Sequence, residues 1–278
     1  EANIEKCLNS VKDLVSEIII VDSHSTDKTV EIAKKFNAKI IDFKWVDDFS
    51  KARNESIKHA TKEWILILDA DEFMDDKSRD EIKEIIKKDF DAFLLPQLNY
   101  TNNRAIAGFT PSQDLSENLS RHYISMICRL FKNNKGYIFS GLVHELVEPS
   151  ITDKKGKLAV SRAAIHHLGN SDPTTTLKKK QYYIDLSKRK VDLNPTQKNY
   201  LELGILYKDT DQLDLAEKFI KISLDIKQDS VALYELGIIS EKNQKPEKAI
   251  ELYKKSLKLK EDPETYFSLG SSYLKMGE

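Results

Sequence analysis

Cysteine is nearly absent: two residues in 278, Cys7 and Cys128. Two thiols give neither a disulfide framework nor a zinc cluster, so the chain reads as the product of a reducing compartment, the cytoplasm, with membrane attachment left open. Gly (9) and Pro (7) are scarce as well, which argues against an all-β protein built on tight turns and for helices. Charge of either sign is not in surplus. Lys+Arg is 44 and Asp+Glu 45, a net of −1, which excludes the basic balance of a dedicated nucleic-acid binder. No stretch reaches the ~18 apolar residues of a membrane span. Neither G-x-G-x-x-G nor G-x-x-x-x-G-K-[ST] occurs, so dinucleotide-binding dehydrogenases and P-loop enzymes are disfavoured. What is present is 40% hydrophobic and 32% charged residues, enough for packed cores. At roughly 150 residues per domain the length predicts about two domains.

The first part, residues 1–170, alternates apolar runs with amphipathic ones. Glu17–Asp22, Ala38–Asp42 and Trp64–Asp69 read as strands, and Ser25–Phe36, Phe49–Ala60 and Ser78–Lys88 as helices. Continuous apolar strands separated by helices predict an α/β domain with a mostly parallel sheet covered on both faces. Further strands are expected at Ala92–Leu95, Met126–Lys132, Tyr137–Phe139, Leu158–Val160 and Ala163–His167.

The second part, 171–278, is a helical linker followed by a repeat. Gly204, Gly237 and Gly270 recur at intervals of 33, as do Leu203, Leu236 and Leu269, while Ala216 pairs with Ala249 and Ser223 with Ser256 at the same interval. This is the tetratricopeptide pattern, a helix pair about every 34 residues, with units at about 197–229, 230–262 and a partial 263–278. Small residues let paired helices approach closely. The chain opens inside a helical pattern (Ile4, Leu8, Val11) and stops in mid-repeat, so it reads as part of a longer protein, and the absence of a signal peptide says little.

Two strands end in aspartate: Val21-Asp22-Ser-His-Ser-Thr-Asp27 and Leu68-Asp69-Ala-Asp71-Glu72. Ligands of open α/β sheets bind beyond the carboxyl ends of strands, so both acidic sites open on one edge. Asp69 and Asp71 can both face one ion with Ala70 turned away, and hard oxygen ligands suit Mg2+ or Mn2+. The alternative is that these residues cap the turns that follow.

Asp22-x-x-Ser25-Thr26-Asp27-x-Thr29, then Phe49-Ser-x-Ala52-Arg53-Asn54, then Asp69-Ala-Asp71-Glu72, resembles a family 2 glycosyltransferase with the GT-A (Rossmann-like) fold. The resemblance continues through Arg129-Leu-Phe-Lys132, Gly141-Leu-Val-His144-Glu145 and Ile165-His-His167-Leu-Gly169. With the repeats attached, the chain is similar to bacterial enzymes that include bacteriocin peptide S-glycosyltransferases and lipopolysaccharide-core glucosyltransferases. The resemblance implies inverting, metal-dependent transfer from a nucleotide-sugar donor, UDP-linked, to a peptide, protein or glycan acceptor. It implies nucleotide contacts from Asp22, Arg53 and Asp69, metal binding by Asp71 and His167, and Glu145 as general base. Asp27, Glu72, His144 and Gly141 are secondary candidates. The family's first nucleotide-binding strand is expected before Glu1, and its base motif often reads Glu-Asp where this chain has His144-Glu145.

Plainer readings stand beside these. His24 can touch the nucleotide or lie in a solvated loop. His144 can orient the base or pack structurally. Of His166 and His167, on opposite faces of one strand, only one reaches the site. Glu72 can be a third acidic ligand, a cap or a solvated group. Lys178–Lys180 and Lys188–Lys190 can meet phosphate or form a solvated face, and Trp45 can stack on a ligand or pack in the core. The repeats can bind the acceptor, a partner or a second copy of the enzyme. Cell-envelope glycan transfer, nucleotidyl transfer and a non-catalytic repeat scaffold with a degenerate nucleotide-binding domain remain alternatives.

Overall fold

The computed structural model describes residues 1–101, 110–111, 121–168 and 173–277. The chain forms two compact units, Glu1–Ser171 and Asp172–Glu278.

In the first unit the elements run α1 (Ile4–Val11), β1 (Ile19–Asp22), α2 (Thr29–Lys35), β2 (Lys39–Asp42), α3 (Phe49–His59), β3 (Trp64–Leu66), β4 (Glu72–Phe73), α4 (Asp76–Ile85), β5 (Ala92–Thr101), β6 (Thr110–Pro111), β7 (Arg121–Lys132), α5 (Glu148–Asp153), β8 (Leu158–Val160) and β9 (Ile165–His167). The α/β architecture is as the sequence predicts, and the sheet is where it departs. Strands β1 and β2 pair in parallel as a two-stranded sheet; the other seven form a second sheet of order β3-β7-β5-β9-β4, with β6 on β7 and β8 on β5. Strand β5 pairs in parallel with β8 and β9, but β7 runs antiparallel to β3, β5 and β6, and β4 antiparallel to β9. The expected mostly parallel sheet is therefore mixed. The 12-residue β7 reverses the direction of β5 and lies between it and β3.

The β1–β2 sheet is covered by α1 and α2 through Ile4, Leu8 and Ala33. One face of the larger sheet packs Val11, Met74, Ile82, Phe93 and Leu130, and the other Ile65, Cys128, Phe131, Val147 and Ile151. Burial holds the thiols of Cys7 and Cys128 up at about 12, which leaves them as inert packing groups. Tyr137–Phe139 is not a strand. The Phe139 amide is satisfied by Asn54 Oδ1 at 2.8 Å and the Ile138 amide by Ser150 Oγ at 3.1 Å, so side chains replace a ladder.

The second unit is helical: α6 (Pro173–Leu193), α7 (Gln197–Asp209), α8 (Leu213–Ile226), α9 (Ser230–Lys242), α10 (Pro246–Leu259) and α11 (Pro263–Met276). Each odd-numbered helix from α7 onward starts at a side-chain cap: Thr196, Asp229 and Asp262 accept backbone N–H groups three residues on. The 33-residue spacing has a packing cause. A Cβ on Gly237 would lie 2.3 Å from the ring of the fully buried Tyr253, so α9 and α10 touch only because position 237 has no side chain. Lys188 pairs with Asp185, Lys190 with Glu202, and Lys180 donates to Asp209 O, so these basic residues serve the helices themselves. No described helix is long and apolar enough to cross a membrane.

Candidate active site

The Asp69–Glu72 segment is a tight turn closed twice. Glu72 N donates to Asp69 O at 2.9 Å, and Asp69 N donates back to Glu72 Oε2 at 2.6 Å. Glu72 is only 1% exposed, with Oε1 accepting from Gln97 Nε2 at 2.5 Å. Burial pushes its carboxyl up, against the pull of Arg129. Glu72 thus braces the turn from below and is not solvated, with both carboxylate oxygens engaged by the Asp69 amide and Gln97.

The turn sends Asp69 and Asp71 to different partners. Asp69 meets two guanidiniums. Arg53 Nη2 stands 2.9 Å from Oδ1, and Arg129 Nη2 3.0 Å from Oδ2. Crowding by surrounding chain would raise its pKa, but the two cations override this and hold it at about 2. Asp71 faces His167, whose Nε2 lies 3.3 Å from Asp71 Oδ2. Their closeness lowers Asp71 and raises His167, in each case as the largest cause, because it favours the imidazolium beside a carboxylate. Leu168 N also donates to Asp71 O at 3.2 Å, tying the turn to the end of β9. The neighbouring His166 points away: it is buried, with Nε2 3.2 Å from Asp75 and Nδ1 2.8 Å from the Tyr100 hydroxyl. Gly169 lies outside the described residues.

Glu145 arrives from a loop. Ser140 and Leu146 exchange backbone hydrogen bonds across it, and Gly141, at φ +111°, supplies the reversal that a side chain would resist. Helix α3 holds this loop. Asp48 caps the helix, Phe49 N donates to Leu142 O at 3.0 Å, and Asn54 exchanges hydrogen bonds with the Phe139 backbone. One residue earlier, Arg53 Nε donates to Glu145 Oε1. Arg53 therefore links the proposed base to Asp69. His144, at φ +51°, is exposed, so it is not the packed structural group that one reading expects.

A cavity of about 350 Å3 lies between β1 and β3, with Val21, Ala52, Arg53, Leu68, Asp69 and Ala70 in its lining. Beside it, Asp22 accepts the Ser25 amide at 3.1 Å and Asp27 accepts the Thr29 amide at 2.9 Å. Hydrogen bonding from the Thr29 side chain, and after it from the Thr29 amide, holds the Asp27 carboxyl at about 2. His24 is exposed and bonded to Asp42, and Trp45 lies edge-on against Phe49.

Sequence reasoning gives no role to Arg129, Gln97, Asn99, Ser125 or Asn54. Arg129 and Asn54 stand inside quoted motifs; Gln97 and Asn99 interrupt the apolar β5 with period two, a legible mark of a polar face. Among the described residues no group of three or more His, Cys, Asp or Glu side chains converges as a metal centre. Asp71 and His167 are two converging donors of suitable kind, and a Mg2+ or Mn2+ site takes most of its ligands from phosphate oxygens and water.

Residues 1–104 match the model of glycosyl transferase family 2, and residues 231–263 that of a tetratricopeptide repeat. The SPbeta prophage-derived glycosyltransferase SunS of Bacillus subtilis is 32% identical over 230 residues, 78% of this chain and 50% of that protein. A TPR repeat-containing protein of Synechococcus elongatus is 36% identical over 148 residues, 53% of this chain and 33% of that one. An uncharacterized glycosyltransferase of Rickettsia felis is 31% identical over 182 residues, covering 61% and 59%. The chain spans between about a third and three fifths of the length of these curated relatives. With the motif residues gathered at one edge of the sheets and 33-residue helix pairs following, the chain carries a glycosyl transferase family 2 domain joined to tetratricopeptide repeats.

Proposed function

We propose that this chain transfers a sugar from a UDP-linked donor to an acceptor, with inversion at the anomeric carbon. The observation that carries this reading is the gathering of Arg53, Arg129, Asp69, Asp71, His167 and Glu145 from α3, β7, the Asp69–Glu72 turn, β9 and one loop. In this reading Asp22 and Asp69 hold the nucleoside, and the Arg53 fork binds diphosphate oxygens. Asp71 and His167 would hold Mg2+ or Mn2+. When bound, such an ion neutralises charge developing on the leaving diphosphate.

The remaining step belongs to Glu145. As the acceptor oxygen or sulfur attacks the anomeric carbon, its proton passes to the Glu145 carboxylate and the sugar–diphosphate bond breaks. Glu145 is paired with Arg53 through one of its two oxygens, Oε1, in this structure. Arg53 drawn toward diphosphate would free that oxygen as well once a donor is in place.

The repeats suit a polypeptide acceptor, because helix-pair arrays offer extended concave surfaces. The test is to incubate the purified protein with UDP-sugars, Mn2+ and candidate peptides and to look for a hexose mass increment. Transfer to a lipid-linked glycan and to no peptide would replace the peptide reading with cell-envelope glycan synthesis. Release of pyrophosphate would indicate nucleotidyl transfer instead. Absence of metal-dependent UDP binding by titration calorimetry would favour a repeat scaffold.

A further inference from the structure

The sheet face that carries His167 is polar across four strands, β7, β5, β9 and β4. Register places Gln97 opposite Ser125, and Asn99 and Glu72 opposite His167. The hydrogen bonds along this file have one direction, fixed at both ends by backbone groups of known polarity. The Asp69 amide can only donate, and it gives its hydrogen to Glu72 Oε2. Glu72 Oε1 accepts from Gln97 Nε2, which leaves Gln97 Oε1 as an acceptor for Ser125 Oγ–H at 3.0 Å. Ser125 Oγ in turn accepts from Asn99 Nδ2 at 2.9 Å. The same Nδ2 donates to the Gln97 carbonyl at 3.2 Å, a pure acceptor, so the orientation of the Asn99 amide is set twice. Its remaining atom, Oδ1, faces His167 Nδ1 at 2.9 Å.

An oxygen acceptor there requires the imidazole to carry its hydrogen on Nδ1. The neutral ring then presents a bare Nε2 beside Asp71 Oδ2, two electron-pair donors side by side. The opposite tautomer would donate from Nε2 to Asp71 and occupy both groups with each other. We propose that Asn99, braced through Ser125 and Gln97 by Glu72, is a positioning residue that holds His167 as the Nδ1–H tautomer and keeps Nε2 open beside Asp71 for a divalent cation. This rests on the metal reading above and adds to it the residue that sets the ligand's orientation. Outer partners of metal-binding histidines act in this way, and their loss typically weakens metal affinity about 10–100-fold.

Two measurements on the full chain test it. Imidazole 15N spectra at about pH 9, above the ordinary histidine range, should show neutral His167 as Nδ1–H, and Asn99→Leu should move it toward Nε2–H. Mn2+ uptake followed by electron paramagnetic resonance should weaken about tenfold or more in Asn99→Leu. Asn99→Asp separates positioning from packing. It restores an acceptor opposite Nδ1 but sets a carboxylate against the Gln97 carbonyl, so it should melt lower than Asn99→Leu yet bind Mn2+ more tightly. Affinity that merely follows melting temperature across the two variants would overturn the proposal, as would a wild-type Nε2–H tautomer. A wild-type Nδ1–H ring with no Mn2+ uptake would overturn the metal reading and leave the tautomer assignment standing.

Discussion

Replacing Glu72 tests whether the acidic turn is held by a buried carboxylate. In Glu72→Leu the Asp69 amide and Gln97 Nε2 both lose their acceptor in a site that is 1% exposed. Each orphaned donor costs about 1–3 kcal/mol, so the pair should cost about 3–4 kcal/mol after the relief of removing a buried charge. Glu72→Gln keeps one oxygen, and whichever way its amide turns, an N–H faces one of the two donors. One charge-assisted bond, about 1.5–3 kcal/mol, is lost. Against this, the carboxylate that burial disfavours and that stands beside the Asp69 charge is gone, so the net should be about 1–2 kcal/mol. Both tryptophans, Trp45 and Trp64, lie in the first unit, so thermal unfolding followed by tryptophan fluorescence reports that unit alone. At about 2–4 °C per kcal/mol, melting should fall by about 2–8 °C for Gln and about 6–16 °C for Leu. Both variants should also raise the donor KM, because the turn that aims Asp69 and Asp71 is loosened. A Glu72→Gln protein that melts at or above wild type would refute the reasoning, since burial repulsion would then outweigh the hydrogen bonds.

Asp71→Ala should abolish both transfer and metal-dependent UDP binding, whereas Glu145→Gln should lower kcat by about 10²–10⁴ while UDP binding is kept; retention of most activity in Glu145→Gln would remove the base assignment. Gly237→Ala forces a Cβ into the Tyr253 ring and should destabilise the repeats by about 1–2 kcal/mol after its helix-propensity gain. Gly270→Ala meets nothing within 4 Å and should stabilise by up to about 1 kcal/mol, opposite signs that helical circular dichroism melts will separate. Asp69 has its pKa depressed in the fold, so its contribution is complete above the ordinary carboxylate range and is lost as pH falls from about 4 through about 2. With that side chain 41% exposed, solvent screening leaves about 1 kcal/mol, visible as a shallower acid branch of the urea-unfolding stability curve in Asp69→Asn.

What could be read from the sequence was what is local along the chain. The helix pairs announce themselves because the Gly237–Tyr253 approach has its counterpart 33 residues earlier in Gly204 against Ile220, and the two aspartates because strands β1 and β3 deliver them to one edge. Groups assembled by register across strands were not legible. Arg129 reaches Asp69 only because β7 lies beside β3, and Asn99 reaches His167 only because β5 pairs with β9. Tyr137–Phe139 misled for the same reason: an aromatic, apolar tripeptide reads as a strand unless one knows that Asn54 and Ser150 will take its amides. The distinction bears on chemistry. Local motifs supplied the anions of this site, and the distant strands and helix supplied the cations and amides that decide what each anion can do. An Asp-x-Asp pair seen alone suggests two equal metal ligands. Here Arg53 and Arg129 occupy both oxygens of Asp69, and only Asp71 keeps its carboxylate turned toward an imidazole, that of His167, so the two aspartates of one motif stand in different electrostatic surroundings.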